Sequence, residues 1–215
     1  VVDDWTAYAP LTSYGRSGVG FVNFGTITRL RIQAPIETYG VGARGFNVYR
    51  LDGFAGPTVD TVEFDQITTH ADAAIGIQIG QPIGRLIVHR GIHTEGGAGD
   101  SLVRGVITQL SAHALSVQPG GRVEAVEVGG ALGSTGADVA AVEVRGEVGT
   151  MYVAGGIHAT GADADALRLD GGMLGLRDTE VSASGGAAIR LTANAGIQLS
   201  GVHAHGAHGD VLVQR

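Results

Sequence analysis

At 215 residues and a formal net charge of −7, the chain is long enough for one domain with a sizeable core. Its acidity argues against a nucleic-acid partner or electrostatic attachment to an anionic membrane. It has no cysteine, which excludes a disulfide framework, a thiolate metal site and a cysteine nucleophile, and no apolar run approaches the ~20 residues that span a bilayer.

Glycine is abundant, at 37 residues, but it lies at turns and not in a G-X-Y rhythm, and proline is scarce, so collagen is excluded. A hydrophobic content of 44% excludes a disordered glycine-rich tail. Every cation is an arginine. The N-terminus, V-V-D-D-W, lacks the basic start and apolar core of a signal peptide, so the chain reads as a mature form or an excised domain.

Residues 1–25 do not fit the pattern of the rest. They hold Trp5, Tyr8, Tyr14, Phe21 and Phe24, five of the eleven aromatic residues. They are expected to form an N-terminal aromatic cap over the first coil; the functional alternative is a sugar-stacking platform.

From about residue 26 to the end, short alternating strands recur between glycine turns. Each unit opens on an apolar residue: Ile36, Ile67, Ile92, Leu132, Ile157, Val181 and Val202. Most intervals are about 21–31 residues, the signature of a repeat architecture. The longer step from Ile92 to Leu132 suggests an extra partial coil around His113–Val117. A second strand recurs at Ile75–Ile79, Val142–Val144, Leu167–Leu169 and Ile189–Leu191, and a third at Leu86–Val88, Val126–Val128, Met151–Val153 and Ile197–Leu199. No run carries a helical i, i+3, i+4, i+7 stripe. Three strands per unit, without a strict hexapeptide period, predict an all-β, right-handed parallel β-helix of about seven or eight coils over residues 26–215. Period-2 alternation would stack the openers in one inward column and Thr38, Thr69, Thr94, Ser134, Ala159, Ala183 and Ala204 in a second. The strand-like end, V-L-V-Q-R, would leave edges open to further chain, to a partner or to a second copy stacked on the last coil.

The strings I-T-T-H-A-D-A-A-I-G-I (67–77), I-H-A-T-G-A-D-A-D-A-L-R-L (157–169) and V-H-A-H-G-A-H-G-D-V-L-V (202–213) resemble bacterial right-handed parallel β-helix repeat proteins, such as autotransporter passengers and adhesin-like solenoids. The resemblance covers about residues 27–213. It implies the fold and a secreted or cell-surface location, and leaves activity open because such repeats carry many functions. The outer-membrane translocator of an autotransporter has no counterpart in this chain.

The outward positions of the first strand are Glu37/Tyr39, Thr68/His70, His93/Glu95, Gly133/Thr135, His158/Thr160, Ser182/Ser184 and His203/His205. Such a strip suits a linear polysaccharide, with His70, His93, Glu95, His158, Thr160, Ser182, His203 and His205 as candidate ligand-binding residues; the plain alternative is a solvated sheet face. His203, His205, His208 and Asp210 form the sharpest local cluster, where a divalent metal is weighed against exposed, structurally neutral histidines. Asp100, Asp165 and Asp210, with Asp72 and Asp138, are expected to cap turns; the nonapeptide of calcium-binding β-rolls is missing.

No complete catalytic set emerges. The R-I-K string of polygalacturonases is broken at Arg31-Ile32-Gln33, their G-H-G string is only echoed at His205-Gly206-Ala207-His208, and the R-x-P-x-R string of pectate lyases is absent. Glu124, Glu127, Glu143 and Glu147 crowd one region, but Glu127 and Glu143 project from different strands. The sequence therefore points to a non-catalytic scaffold that binds glycan or protein along its flat faces and needs no cofactor. The alternatives are a carbohydrate-active lyase, hydrolase or epimerase on the strip, and an element that self-assembles through its C-terminal coil.

Overall fold

Alternation sets the local structure. In V-E-V (142–144), I-H-A (157–159) and L-R-L (167–169) the flanking residues are buried and the central one is not, as a strand with one face on a core requires. The computed structural model describes every residue except Leu51, Asp52, Phe54, Ala55, Pro57, Arg104 and Arg215. Among the described residues there is no helix, and 24 strands form an all-β, mostly parallel arrangement.

The strands fall into eight successive passes. The first holds β1 (Val2–Ala7), β2 (Leu11–Ser13) and β3 (Val19–Asn23), and the second β4 (Thr26–Ile32), β5 (Ile36–Thr38) and β6 (Arg44–Val48). In the next two the first pair of segments fuses, as β7 (Thr58–Thr69) followed by β8 (Ile75–Ile79), and β9 (Pro82–Thr94) followed by the hairpin β10 (Ala98–Val103) and β11 (Val106–Ser111) and then β12 (Leu115–Val117). The fifth comprises β13 (Arg122–Val128), β14 (Ala131–Ser134) and β15 (Val142–Val144); the sixth β16 (Glu147–Val153), β17 (Ile157–Ala159) and β18 (Leu167–Leu169). The seventh comprises β19 (Met173–Arg177), β20 (Glu180–Ala183) and β21 (Ile189–Thr192); the last β22 (Gly196–Ser200), β23 (His203–Gly206) and β24 (Val211–Gln214).

The first two segments of each pass stack into a 14-stranded sheet and the third segments into an eight-stranded one. Ile36, Ile67, Ile92, Leu132, Ile157 and Val181 lie in register on adjacent passes, each at most 2% exposed. Burying each such side chain is worth about 1.5–3 kcal/mol. Thr38, Thr69, Thr94, Ser134, Ala159 and Ala183 form the second buried column. Thr69 and Thr94 donate to the carbonyls of Ala74 (2.7 Å) and Ala112 (2.5 Å), as buried hydroxyls should. The glycine that closes this strand is needed because the previous pass occupies the side-chain space: a Cβ on Gly161 would sit 2.0 Å from the Gly136 carbonyl oxygen, and one on Gly136 the same distance from that of Gly96.

Three expectations change. In the last pass the residue that stacks on Val181 is Ala204, not Val202, and Gly206, not Ala204, lies on Ala183. Most earlier passes step four residues from the last apolar residue of the first segment to the opener, as from Val153 to Ile157, and the third steps three, from Phe64 to Ile67. The last two step five, from Leu176 to Val181 and from Leu199 to Ala204, through left-handed residues at Asp178 (φ 46°) and Gly201 (φ 64°). The long step between Ile92 and Leu132 is not a partial coil. Leu115–Val117 is the ordinary third segment of its pass, pairing with β8 and β15, and the extra length is the antiparallel hairpin β10–β11.

The third concerns the expected cap. Residues 1–25 continue the ladder, since β1, β2 and β3 pair in parallel with β4, β5 and β6. Their aromatic residues do not make one platform. Phe21 packs inward on Phe46 (6.4 Å between centroids) with Trp5 behind it (4.8 Å), Tyr14 lies outward on Tyr39, and Phe24 meets Tyr49 edge-on (4.9 Å). No helix among the described residues is long and apolar enough to cross a membrane. At the last pass Leu199, Val211 and Val213 are exposed.

Candidate functional site

Register turns the middle segment into an outward ladder. One column runs Thr12, Glu37, Thr68, His93, Gly133, His158, Ser182, His205. The residues two further on form a second column, Tyr14, Tyr39, His70, Glu95, Thr135, Thr160 and Ser184. Of the candidates, His70, His93, His158 and Ser182 are half-buried, and Glu95, Thr160, His203 and His205 are exposed. His205 takes the place expected of His203, which instead stands beside Glu180.

The ladder is tied along its length. Tyr14, Tyr39 and His70 form a stack of near-parallel rings, with centroids 5.1 and 4.5 Å apart. Tyr39 donates its hydroxyl to Glu37 (2.6 Å), and that bond, with partial desolvation, holds the phenol above its ordinary range. His70 Nδ1 meets Glu95 Oε2 at 2.9 Å. His158 Nε2 lies 2.6 Å from the Gly155 carbonyl, which can only accept, so Nε2 carries a proton. In the neutral ring Nδ1 is then free to accept from Ser182 Oγ at 2.7 Å. Between His93 and His158 the ladder has a gap at Gly133, into which His93 leans: a Cβ there would lie 3.2 Å from its Nδ1.

The residues weighed as a metal cluster, His203, His205, His208 and Asp210, do not converge. His205 Nδ1 is 3.8 Å from Asp210 Oδ1, and no group of three His, Asp or Glu among the described residues could hold an ion. Of the turn aspartates, Asp72 accepts from the Gly97 N–H (2.8 Å), Asp210 from Gly206 (3.2 Å) and Asp165 from Ala187 (2.9 Å). Asp100 lies on the hairpin instead, opposite Gln109. The glutamates stay apart: Glu127 pairs with Arg85 (2.9 Å) on one sheet, while Glu143 accepts from Ser116 (3.1 Å) on the other.

The third segments carry a second polar column, Asn47, Gln78, Ser116, Glu143, Arg168 and Arg190. Its far end is a buried charge cluster. Asp165 is fully buried and bonded by Arg168 and Arg190; burial raises its pKa, but the bonds from Arg190, Arg168 and the Ala187 amide outweigh that and hold it low. His113, 6% exposed, lies 2.7 Å from the Ala140 carbonyl, and burial pushes its pKa down despite Glu143 at 3.7 Å.

At its near end this column forms the floor of a cleft of about 610 Å³, walled by Leu102 and Val103 of the hairpin and by Phe24 and Tyr49. Sequence reasoning missed this cleft. The polar residue centred between apolar ones in F-N-V, I-Q-I and L-S-V was a visible signal, but the hairpin that closes the space was not. No family model, curated protein or solved structure matches this chain.

Proposed function

We propose that the chain is a right-handed parallel β-helix serving as a non-catalytic secreted or cell-surface scaffold that binds glycan along its outward ladder. The handedness follows from the crossover rule for parallel strands joined within one sheet, which holds in about 98% of cases. The observation that supports the function is the ladder itself: eight passes, spanning about 34 Å at ~4.8 Å each, present hydroxyls, imidazoles and ring edges in one line. The Tyr14–Tyr39–His70 stack turns its ring faces to one another and so offers edges and hydroxyls outward, suited to a polymer lying along it. The carboxylates held low (Asp4, Asp65, Asp165) are each paired with arginine, a structural use of acids. Affinity electrophoresis against a panel of polysaccharides tests the reading. Retention without product, reduced in His158→Ala and His205→Ala proteins of unchanged circular dichroism, supports it. No retention by any polysaccharide removes it.

The His158–Ser182 contact favours a second reading, a hydrolase using Ser182 as nucleophile and His158 as base. It is the weaker reading because His158 Nε2 faces a carbonyl where a charge-stabilising carboxylate would assist. Product release that disappears in Ser182→Ala would establish it over the scaffold.

A further inference from the structure

We propose that the cleft between the hairpin and the third-segment sheet binds a sugar bearing a carboxylate, a uronic-acid-type unit. Two of its groups lack what a folded chain normally supplies. Arg44 is only 5% exposed, yet no carboxylate lies within salt-bridge distance among the described residues. Its Nε donates to Gln78 Oε1 (2.9 Å), and its Nη1 to the Gly42 carbonyl (2.8 Å) and Ser101 Oγ (3.4 Å), all neutral acceptors. Burial pushes its pKa down, as expected for a cation withdrawn from water without a counter-charge. Such a group is costly unless an anion meets it. The second is Asn47, 7% exposed, whose Oδ1 is buried and accepts no hydrogen bond.

The two groups together select the ligand. Sulfate or chloride would satisfy Arg44 but offers Asn47 Oδ1 no hydroxyl, and phosphate, which carries a P–OH at neutral pH, is too small to use the amide and apolar walls of a cleft of about 610 Å³. A neutral sugar would satisfy Asn47 and leave Arg44 without a charge. A sugar acid does both. Arg44 and Asn47 both lie on β6, and Arg44 Nε bonds Gln78, the residue paired with Asn47 on the next strand, so their polar ends are neighbours and one sugar unit reaches both. The rest of the lining agrees: amides of Gln78 and Gln118 suit hydroxyls, the Phe24–Tyr49 pair offers an apolar flank, and no described lining residue is Asp or Glu in a chain of net charge −7. The hairpin wall is fixed to the floor, since Ser101 Oγ donates to the Gly42 carbonyl (3.2 Å) and the Leu102 N–H to Ser17 Oγ (3.2 Å). The volume of about 610 Å³ is that of a small-ligand site.

This inference takes the ligand class from the glycan reading, but it places a second site away from the ladder, and calorimetry separates the two. Titrating the intact protein with a hexuronic acid trisaccharide should show saturable binding. The carboxyl-reduced, neutral trisaccharide should bind at least about tenfold more weakly, as loss of a charge-assisted pair implies, and inorganic phosphate should not saturate. Asn47→Asp, which hands Arg44 an internal counter-charge, should weaken the acid trisaccharide at least about tenfold. Gln118→Ala, which loses the part-buried bond to Ser116 Oγ (2.6 Å), should weaken it while lowering the melting temperature by no more than about 4 °C, and His158→Ala and His205→Ala should leave it unaltered. Equal affinity for the neutral sugar, phosphate binding as tightly as the sugar acid, an unaffected Asn47→Asp, or no binding would each overturn the proposal. If the ladder still retains polysaccharide, the scaffold reading survives that result.

Discussion

Replacing Asp165 with Asn exchanges one carboxylate oxygen for an amide nitrogen and removes one charge from a buried ion cluster. In the folded chain Oδ1 accepts from the Ala187 N–H at 2.9 Å and Arg190 Nη2 at 2.8 Å, while Oδ2 accepts from Arg168 Nη2 at 2.9 Å and Arg190 Nε at 2.5 Å. An Asn side chain can keep the first pair through its oxygen, but its amide nitrogen then points a donor at two guanidinium donors. Two charge-assisted bonds at about 1.5–3 kcal/mol each are lost, in line with the 3–5 kcal/mol of a broken buried pair. The guanidiniums are 29% and 21% exposed, so water recovers part of this, and about 3–4 kcal/mol remains. For a chain of this length the melting temperature should fall by about 6–15 °C, read by circular dichroism at pH 7. The effect has a pH signature. The folded pKa of Asp165 lies below its unfolded value, so its stabilisation is present above about pH 4 and is lost as pH falls through the depressed folded value. The variant should therefore approach the parent in stability in strong acid. Replacing all three residues together, as Asp165→Leu, Arg168→Met and Arg190→Met, should recover much of the loss, because no charge is left buried alone. A shift in the single variant of less than about 2 °C at pH 7, roughly 1 kcal/mol or less, would refute this account of the cluster.

Gly161→Ala should destabilise by about 1–3 kcal/mol or more, because its methyl meets the Gly136 carbonyl at 2.0 Å and neither backbone can move without unseating the next pass; urea titration measures it. Gly105→Ala, at φ 81° in open space on the hairpin turn, should lose only about 1 kcal/mol. His113 has a folded pKa below its unfolded value, so stability should be complete above about pH 6.5 and decline as pH falls below it; thermal melts of His113→Gln should lack that slope. Phe46→Ala, which empties a fully buried site in the Trp5–Phe21–Phe46–Phe64 run, should cost about 3–5 kcal/mol by chemical denaturation.

Much of this architecture can be read from residue order, and the reason is local. A parallel ladder repeats one burial pattern, so Ile157 and Val181 announce their shared column, and the glycine after each announces a backbone that passes too close for a side chain. The reading fails where a corner residue is itself apolar. Val202 resembles an opener, yet it falls within the corner between Leu199 and Ala204, in the place Thr179 holds one pass earlier, so Ala204 takes the inward position and His205 rather than His203 enters the ladder. It fails again where a segment leaves the ladder: alternation in residues 98–111 marks strands without saying that they pair with each other and fold over Gly42 and Ser17.

The order of residues alone thus established an all-β repeat, its inward columns and the polar face they leave outside, because side chains of one strand alternate under purely local rules. Which polar residues meet was settled only by three-dimensional packing. Arg44 and Asn47 acquire a ligand-sized space from a hairpin more than fifty residues downstream, and Asp165 draws Arg190 from the next pass, since contacts between passes depend on register and corner length, which no short stretch of sequence encodes.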